Sequence, residues 1–323
     1  MKLTNKFNLP LPIYNAILWQ EAAHKSNANI SCTTLIDSPL KFWLRSEYYD
    51  RIEEDASERL WALYGSLVHL VAEKHGATQA GAHVERQVFS TIKGWKVSAI
   101  IDHILEDDVI SDYKFTSCWA TRDGVKAEWE AQLNVGLWLL RHSEDSDMVE
   151  LGNTIKRLQI VALFRDWVPS NIDRFPNQVQ VLPVSVWSDD KARSYIEERV
   201  ALHQEALATV QRGSVPDICS DQERWMSDFA ICAKSKKIAL KAKIPTREEA
   251  EDWLVKLGGD YIREATPRRC ESYCTYAKCG LCPWYDYEHK LTRTEPIVPM
   301  EIQMNSNSTA TDPDHQRKAE PSP

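Results

Sequence analysis

The sequence predicts an α/β protein: a mixed central sheet flanked by helices, with helical additions and a C-terminal cysteine metal module. Three observations carry that expectation. A long amphipathic helix is followed by three strand-like runs and a second helix, and then by further strands alternating with helices. The runs 97–105 and 109–115 are joined by Glu106-Asp107-Asp108, a short polar turn, so they read as a hairpin. Four cysteines, Cys270, Cys274, Cys279 and Cys282, fall within thirteen positions.

The elements follow in order. A short helix is expected around residues 13–24. The segment Ser31 to Pro39 reads as a helix start, a turn and a second helix opening near Pro39, continued by the amphipathic run 40–45. A long helix is expected over 57–75, because Leu60, Leu63, Tyr64, Leu67, Leu70 and Val71 recur at helical spacing. Strands are expected at 83–90, 97–105 and 109–115, then a helix at 127–141, which ends in the dense apolar run Leu137 to Leu140. Further strands are expected at 157–164 and 178–184, and helices at 189–210 and 246–264. Thr246-x-x-Glu249 has the form of a capping box. From about Thr294 the chain is rich in Pro, Ser, Asn, Thr and charge, the composition of a disordered tail. The expected organisation is a core with helical additions over 1–268, a cysteine-rich metal module at 269–287 packed on that core, and a disordered tail at 288–323.

The 323 residues can bury a large core, and 43% hydrophobic with 27% charged residues is ordinary for a globular protein. No run is long and apolar enough to span a membrane, and no signal peptide opens the chain, so a cytoplasmic protein is expected. Its cysteines then read as thiols or metal ligands rather than disulfides. The net charge of −8 argues against nonspecific coating of nucleic acid. A local groove can still be basic. Lys234, Lys236, Lys237, Lys241, Lys243 and Arg247 form one acid-free stretch, which also fits a solvated helix face or linker.

The hairpin carries the chemistry. Alternation puts Asp112 and Lys114 on one face and Tyr113 on the other. Asp102 interrupts an apolar run, where a buried carboxylate needs a partner. Two carboxylates meeting across a hairpin repel, and a divalent cation between them removes that cost. Mg²⁺ suits oxygen ligands and retains several waters. Lys114 beside it would orient a water or meet charge on a phosphate. The competing reading is a solvated surface hairpin. On the long helix, His69 and Glu73 share a face, so His69 is either an imidazole ligand or a hydrogen-bonded residue at the core edge. Gln132 lies near the apolar face of the 127–141 helix and needs a polar partner there.

The order Gly65-x-x-x-His69, Asp102, Asp112-x-Lys114 followed by Thr116-Ser117, then Gln132, resembles the PD-(D/E)XK nuclease superfamily. It is closest to the RecB-like branch of AddB nuclease domains, CRISPR-associated adaptation nucleases and phage exonucleases. The resemblance spans residues 31–287. It implies a restriction-endonuclease-like core. It also implies that His69, Asp102 and Asp112 hold Mg²⁺ or Mn²⁺ with the Tyr113 carbonyl. Lys114 would be the catalytic lysine and Gln132 a supporting group at the catalytic site. Two positions depart from the pattern: Ala99 replaces a glycine before the first aspartate, and Gly136 replaces a tyrosine four residues after the glutamine.

The crowded cysteines read as a metal site, and four thiolates suit either Zn²⁺ or an iron–sulfur cluster. The resemblance implies a 4Fe-4S cluster, held in such nucleases by one N-terminal and three C-terminal cysteines. Here the N-terminal Cys-Pro position is Ser38-Pro39, with Cys32 six residues earlier as a substitute. The simpler expectation takes all four ligands from Cys270, Cys274, Cys279 and Cys282. Cys118, Cys219 and Cys232 read as ordinary buried thiols.

The function so implied is a metal-dependent deoxyribonuclease, an exonuclease of recombination or repair in a bacterial or phage-infected cell. DNA is its partner. No G-x-x-x-x-G-K-[ST] loop is present, so any helicase motor would be a separate partner protein. The alternatives are a catalytically silent nucleic-acid-binding protein of the same fold, and a zinc-dependent partner-binding element centred on the cysteines.

Overall fold

A six-stranded mixed sheet with helices packed on it organises the first of two compact units in the computed structural model. The structure describes residues 1–23, 27–76, 78, 82–105, 108–299 and 302. The first unit comprises residues 1–37 and 53–204, and the second comprises 38–52 and 205 onward. The expected cysteine module at 269–287 lies within the second unit. Most of the expected tail, 300–301 and 303–323, lies outside the described residues.

In the first unit the elements are β1 (Lys2–Thr4), α1 (Leu11–Ala23), β2 (Ile30–Ser31) and α2 (Cys32–Leu35). The second unit contributes α3 (Pro39–Tyr48), and the first resumes with β3 (Glu53–Asp55), α4 (Leu60–Gly76), β4 (His83–Ile92), β5 (Trp95–Leu105) and β6 (Val109–Thr116). Next come α5 (Ala127–Arg141), α6 (Ser146–Thr154), β7 (Arg157–Phe164), β8 (Val179–Val184) and α7 (Asp189–Gln211).

The strand β5 organises the sheet. One of its edges pairs antiparallel with β4 from Trp95 to Ile104. The other edge is shared: β2 pairs parallel at Val97 and Ser98, and β6 pairs antiparallel at His103 to Leu105. Residues 99–102 lie at the fork between those two stretches. β6 then runs parallel to β7 along its whole length, and β8 closes that side antiparallel to β7. As an interior strand β6 is covered on both faces, and Val109, Ile110 and Ser111 are all buried.

Helices α4 and α5 both pack on β4, β5 and β6. α5 is buried on nearly every side, with Val135, Leu139 and Leu140 fully enclosed. Each such side chain contributes about 1.5–3 kcal/mol relative to exposure. α4 closes on β4 and β5 at Gly76, where an added Cβ would meet Val84 Cγ1 at 2.7 Å and His103 Nε2 at 2.8 Å. A 3₁₀ turn at Ala56–Arg59 occupies the start of the expected 57–75 helix, with Asp55 accepting from the Ser57 amide as its cap.

The second unit carries a smaller sheet of β9 (Phe229–Cys232), β10 (Lys241–Ile244) and β11 (Tyr261–Arg263), preceded by the short α8 (Asp221–Arg224). α9 (Arg247–Leu257) packs on β9, and Ile231, Ile244 and Ala250 form the small core. The expected 246–264 helix stops at Leu257 because Gly258 takes a left-handed φ of 60° and caps it; β11 follows. Thr246 accepts from the Glu249 amide, as its position in a capping box predicts. α10 (Arg268–Ser272), α11 (Thr275–Lys278), β12 (Tyr285–Asp286) and β13 (Leu291–Thr292) complete the unit. The basic stretch 234–247 spans the β9–β10 connection and β10 rather than one helix face. Within it, Lys241 lies 4.0 Å from the centroid of the Trp253 ring. No described helix is long and apolar enough to cross a membrane.

Candidate metal centre

The strand registers assemble the site. In the β4–β5 ladder Val84 faces His103 and Arg86 faces Ile101, which puts Glu85 opposite Asp102. In the β5–β6 ladder His103 faces Ser111, and one step further puts Asp102 opposite Asp112. Three acids therefore stand in a row across three strands. Backbone pairing between β5 and β6 ends at this row, and the Asp102 side chain takes over: its Oδ2 accepts from the Tyr113 amide at 3.1 Å.

The expected alternation along β6 is present. Tyr113 turns away from its neighbours, with its hydroxyl 3.1 Å from His103 Nδ1. Asp112 and Lys114 meet on the other face, where Lys114 Nζ lies 2.7 Å from Asp112 Oδ2. Gln132, from α5, links the pair. Its Nε2 donates to Asp112 Oδ1 and its Oε1 accepts from Lys114 Nζ, both at 3.0 Å. The polar partner that Gln132 required is thus the Asp112–Lys114 pair.

His69 approaches from α4, with Nδ1 3.3 Å from Asp102 Oδ2 and 3.9 Å from Glu85 Oε1. One ligand atom from each of His69, Glu85 and Asp102 falls within 4.8 Å of the others. Glu73, which shares the helix face with His69, acts at longer range by raising the pKa of Glu85, for which burial is the larger cause. Glu85 has a left-handed φ of 48°, unusual for a non-glycine residue.

The electrostatics are those of a site short of positive charge. Burial, followed by the negative charge of Asp112, holds the Asp102 carboxyl well above the usual carboxylate range. Burial also depresses the His69 imidazole, which keeps it neutral and able to act as a ligand. Asp112 Oδ2 is buried and, among the described residues, accepts no hydrogen bond, although the Lys114 ammonium is beside it. Carboxylate oxygens with one neutral imidazole fit Mg²⁺ or Mn²⁺. Of the expected ligands, His69 and Asp102 are brought together with Glu85, whereas Asp112 falls outside that group and is held by Lys114 and Gln132. Glu85 was not singled out, because only the β4–β5 register reveals that it faces Asp102. Cys32 lies beside this site, its thiol 3.6 Å from the Gln132 carbonyl and pushed up to about 12 by burial and by Asp112.

Exposed aromatic rings extend from the site along α4 and the loop after β6. Trp61 and Trp119 are each about half exposed, at 57% and 49%. The Arg165 guanidinium lies 4.3 Å from the Trp61 ring centroid, and that of Arg174 lies 5.4 Å from the Trp119 centroid. Tyr64 contacts Trp61 and also Phe115, which is adjacent to Lys114.

Of the four clustered cysteines, Cys274 and Cys282 are buried, Cys270 is half-buried and Cys279 is exposed. Cys219 belongs to the same unit, and burial first, then Glu223, Cys282 and Cys274, raise its pKa. A donor set of several thiols with pKa values raised by burial fits a thiophilic metal, which would replace their protons.

Fold and site together define a mixed α/β chain with a carboxylate–histidine–lysine centre on its central sheet. No protein-family profile and no curated protein matches the chain. Among solved structures it is similar to the crystal structure of SSO0001, at 17% identity and a TM-score of 0.42, covering 59% of this chain and 84% of that one. It is also similar to an alkaline exonuclease (LHK-Exo) from Laribacter hongkongensis, at 12% identity and a TM-score of 0.35, covering 56% of this chain and 91% of that one. Both likenesses are too distant to carry a functional argument.

Proposed function

We propose that the chain is a divalent-metal-dependent nuclease that hydrolyses phosphodiester bonds in DNA. The observation that carries this reading is the closed triangle of Asp112, Lys114 and Gln132 set directly beside Asp102, His69 and Glu85. A structural ion pair needs no second buried acid facing it. Asp102, Asp112 and His69 would hold Mg²⁺ or Mn²⁺, with Glu85 as a fourth donor. The bound ion supplies Lewis-acid polarisation of the phosphate and favours a water's ionisation.

The chain's own residues do the rest. Lys114 holds an ammonium at the edge of the acid row, where it can orient a water and meet charge developing on the phosphate. Gln132 accepts from that ammonium through its Oε1 and donates to Asp112 through its Nε2, so it fixes both members of the pair. The arginine-flanked aromatics beside Phe115 suit unstacked bases, which bind by stacking together with positive charge. Exonuclease action in recombination or repair is supported by the motif order alone. In this reading the thiols of the second unit hold a metal that stabilises that unit.

Cleavage of labelled single- and double-stranded DNA, with Mg²⁺ or Mn²⁺ and with chelator, tests the proposal. The expected result is metal-dependent cleavage that is lost in both Asp112→Asn and Lys114→Met. DNA binding by the wild type with no cleavage under any metal would favour the silent binding protein instead.

A further inference from the structure

The stretch 234–247 carries six positive side chains in fourteen positions and no acid, within a chain of net charge −8. The proposed chemistry leaves it unused. Most of it forms the β9–β10 hairpin of the second unit, with Lys241 opposite Ile231 and Ile244 opposite Phe229. Backbone bonds hold the connection in shape. The Lys236 amide donates to Ala233 O at 3.0 Å and the Leu240 amide to Ile231 O at 2.7 Å. The Lys234 amide donates to Asp260 Oδ2 at 2.6 Å. That shape presents Lys234, Lys236, Lys237 and Ile238, all of them exposed, the isoleucine at 82%.

The charge of this region divides into a neutralised part and an open part. Arg247 pairs with Glu251 at 3.1 Å and with Glu264 at 2.6 Å. Among the described residues no carboxylate pairs with the ammonium of Lys236 or Lys237. Lys241 and Lys256 converge on one indole, their ammoniums 4.0 and 4.4 Å from the centroid of the Trp253 ring. The ring attracts each cation, but the two cations repel one another. A bound anion would relieve that repulsion.

β10 departs from regular pairing. Between Lys241 and Ile244 it carries one residue more than its partner strand, a bulge, and Lys243 there has a left-handed φ of 60°. β10 is also an edge strand of its sheet. Lysines and bulges on an edge keep it from pairing with other chains. That purpose accounts for Lys241 and Lys243. It does not account for Lys234, Lys236 and Lys237, which stand outside the strand, nor for the exposed isoleucine beside them.

We propose that the β9–β10 hairpin is a second contact with nucleic acid: its lysines hold the phosphate backbone of DNA without reading sequence, and Ile238 meets the apolar faces of the sugars. The choice of DNA among polyanions rests on the nuclease reading; the cationic surface does not. A row of phosphates matches ammoniums spread over a hairpin tip and the strand behind it, and each contact releases counterions. An anionic membrane fits less well. Stable attachment there takes a larger buried apolar group beside the lysines, and residues 234–238 offer one apolar side chain, Ile238.

The test uses the full chain in chelator, so that DNA is bound and not cut. Fluorescence anisotropy of a labelled DNA duplex is followed across a salt series. The proteins are the wild type, Lys236→Gln/Lys237→Gln and the charge-conserving Lys236→Arg/Lys237→Arg. Loss of two phosphate contacts should lower the slope of log affinity against log salt by about 1.8, and should weaken binding at low salt by about tenfold or more. The arginine variant should keep both the slope and the affinity. Urea unfolding should coincide for all three proteins, since both side chains are exposed.

Unaltered slope and affinity in the glutamine variant would overturn the proposal. So would hairpin-dependent sedimentation with phosphatidylserine–phosphatidylcholine vesicles if DNA binding ignores the same substitutions. Cleavage by the wild type with Mn²⁺ is scored separately. Hairpin-dependent binding without any cleavage would support the contact and remove the nuclease reading, whereas cleavage with hairpin-independent binding would do the reverse.

Discussion

Replacing Lys114 with methionine removes the ammonium but keeps most of the side chain's volume. The Asp112 side chain is 6% exposed and that of Lys114 20%. Breaking a buried pair from one side costs about 3–5 kcal/mol, because the remaining charge stays buried without its partner. Partial exposure of the lysine and the surviving Gln132 bond to Asp112 Oδ1 place this case near the lower end, at about 3 kcal/mol. Urea unfolding of metal-free Lys114→Met should show that loss. A divalent ion at the acid row replaces the missing charge, and at a hundred times its Kd contributes about 2.7 kcal/mol. With saturating Mn²⁺ the variant should therefore recover most of the loss while remaining inactive on DNA. A metal-free loss below about 1 kcal/mol would show that Asp112 is solvated and the buried-pair argument wrong. Failure of Mn²⁺ to stabilise either protein would remove the metal site itself.

Other outcomes are expected. The Asp102 carboxyl is raised in the folded state, so its contribution to metal-free stability is complete below the unfolded carboxylate pKa and is lost as pH rises through the folded value. Asp102→Asn should flatten the fall in stability across that window, and an unaltered slope in pH-dependent unfolding would count against the assigned environment. His69→Ala and Glu85→Gln should each raise the Mn²⁺ concentration for half-maximal cleavage by about tenfold or more, whereas loss of stability with an unchanged midpoint would mark a structural role. Trp61→Ala and Trp119→Ala should each weaken single-stranded oligonucleotide binding by about 1–3 kcal/mol and leave the Mn²⁺ midpoint unchanged; equal binding by fluorescence anisotropy would exclude stacking there. Gly76→Ala should destabilise the chain by about 1–3 kcal/mol through its clash with Val84 and His103, as read from thermal or urea unfolding.

The readable parts of the sequence were those governed by local rules. α5 and β7 have the expected bounds because each is a dense apolar stretch ending in polar residues. The opposition of Asp112 and Lys114 to Tyr113 follows from alternation alone, and Gln132 betrayed itself as a polar residue on a buried helix. The unreadable parts depend on partners distant in the chain. Glu85 looks like any strand acid until the β4–β5 register is known. β1 and β3 are three-residue strands paired in parallel, too short to show a pattern. Cys219 stands alone in sequence, and nothing local marks it as sensing Cys274 and Cys282. The shortened α9 was legible in principle, since Gly258-Gly259 marks its end.

The row Glu85, Asp102, Asp112 crosses three strands at a single rung of the sheet. A slip of one residue in either pairing would send one acid to the opposite face. On the proposed function, a misregistered chain would have the same residues but no grip on an ion. Such a half-folded chain would be unable to cut the nucleic acid around it, so danger and maturity would arrive together.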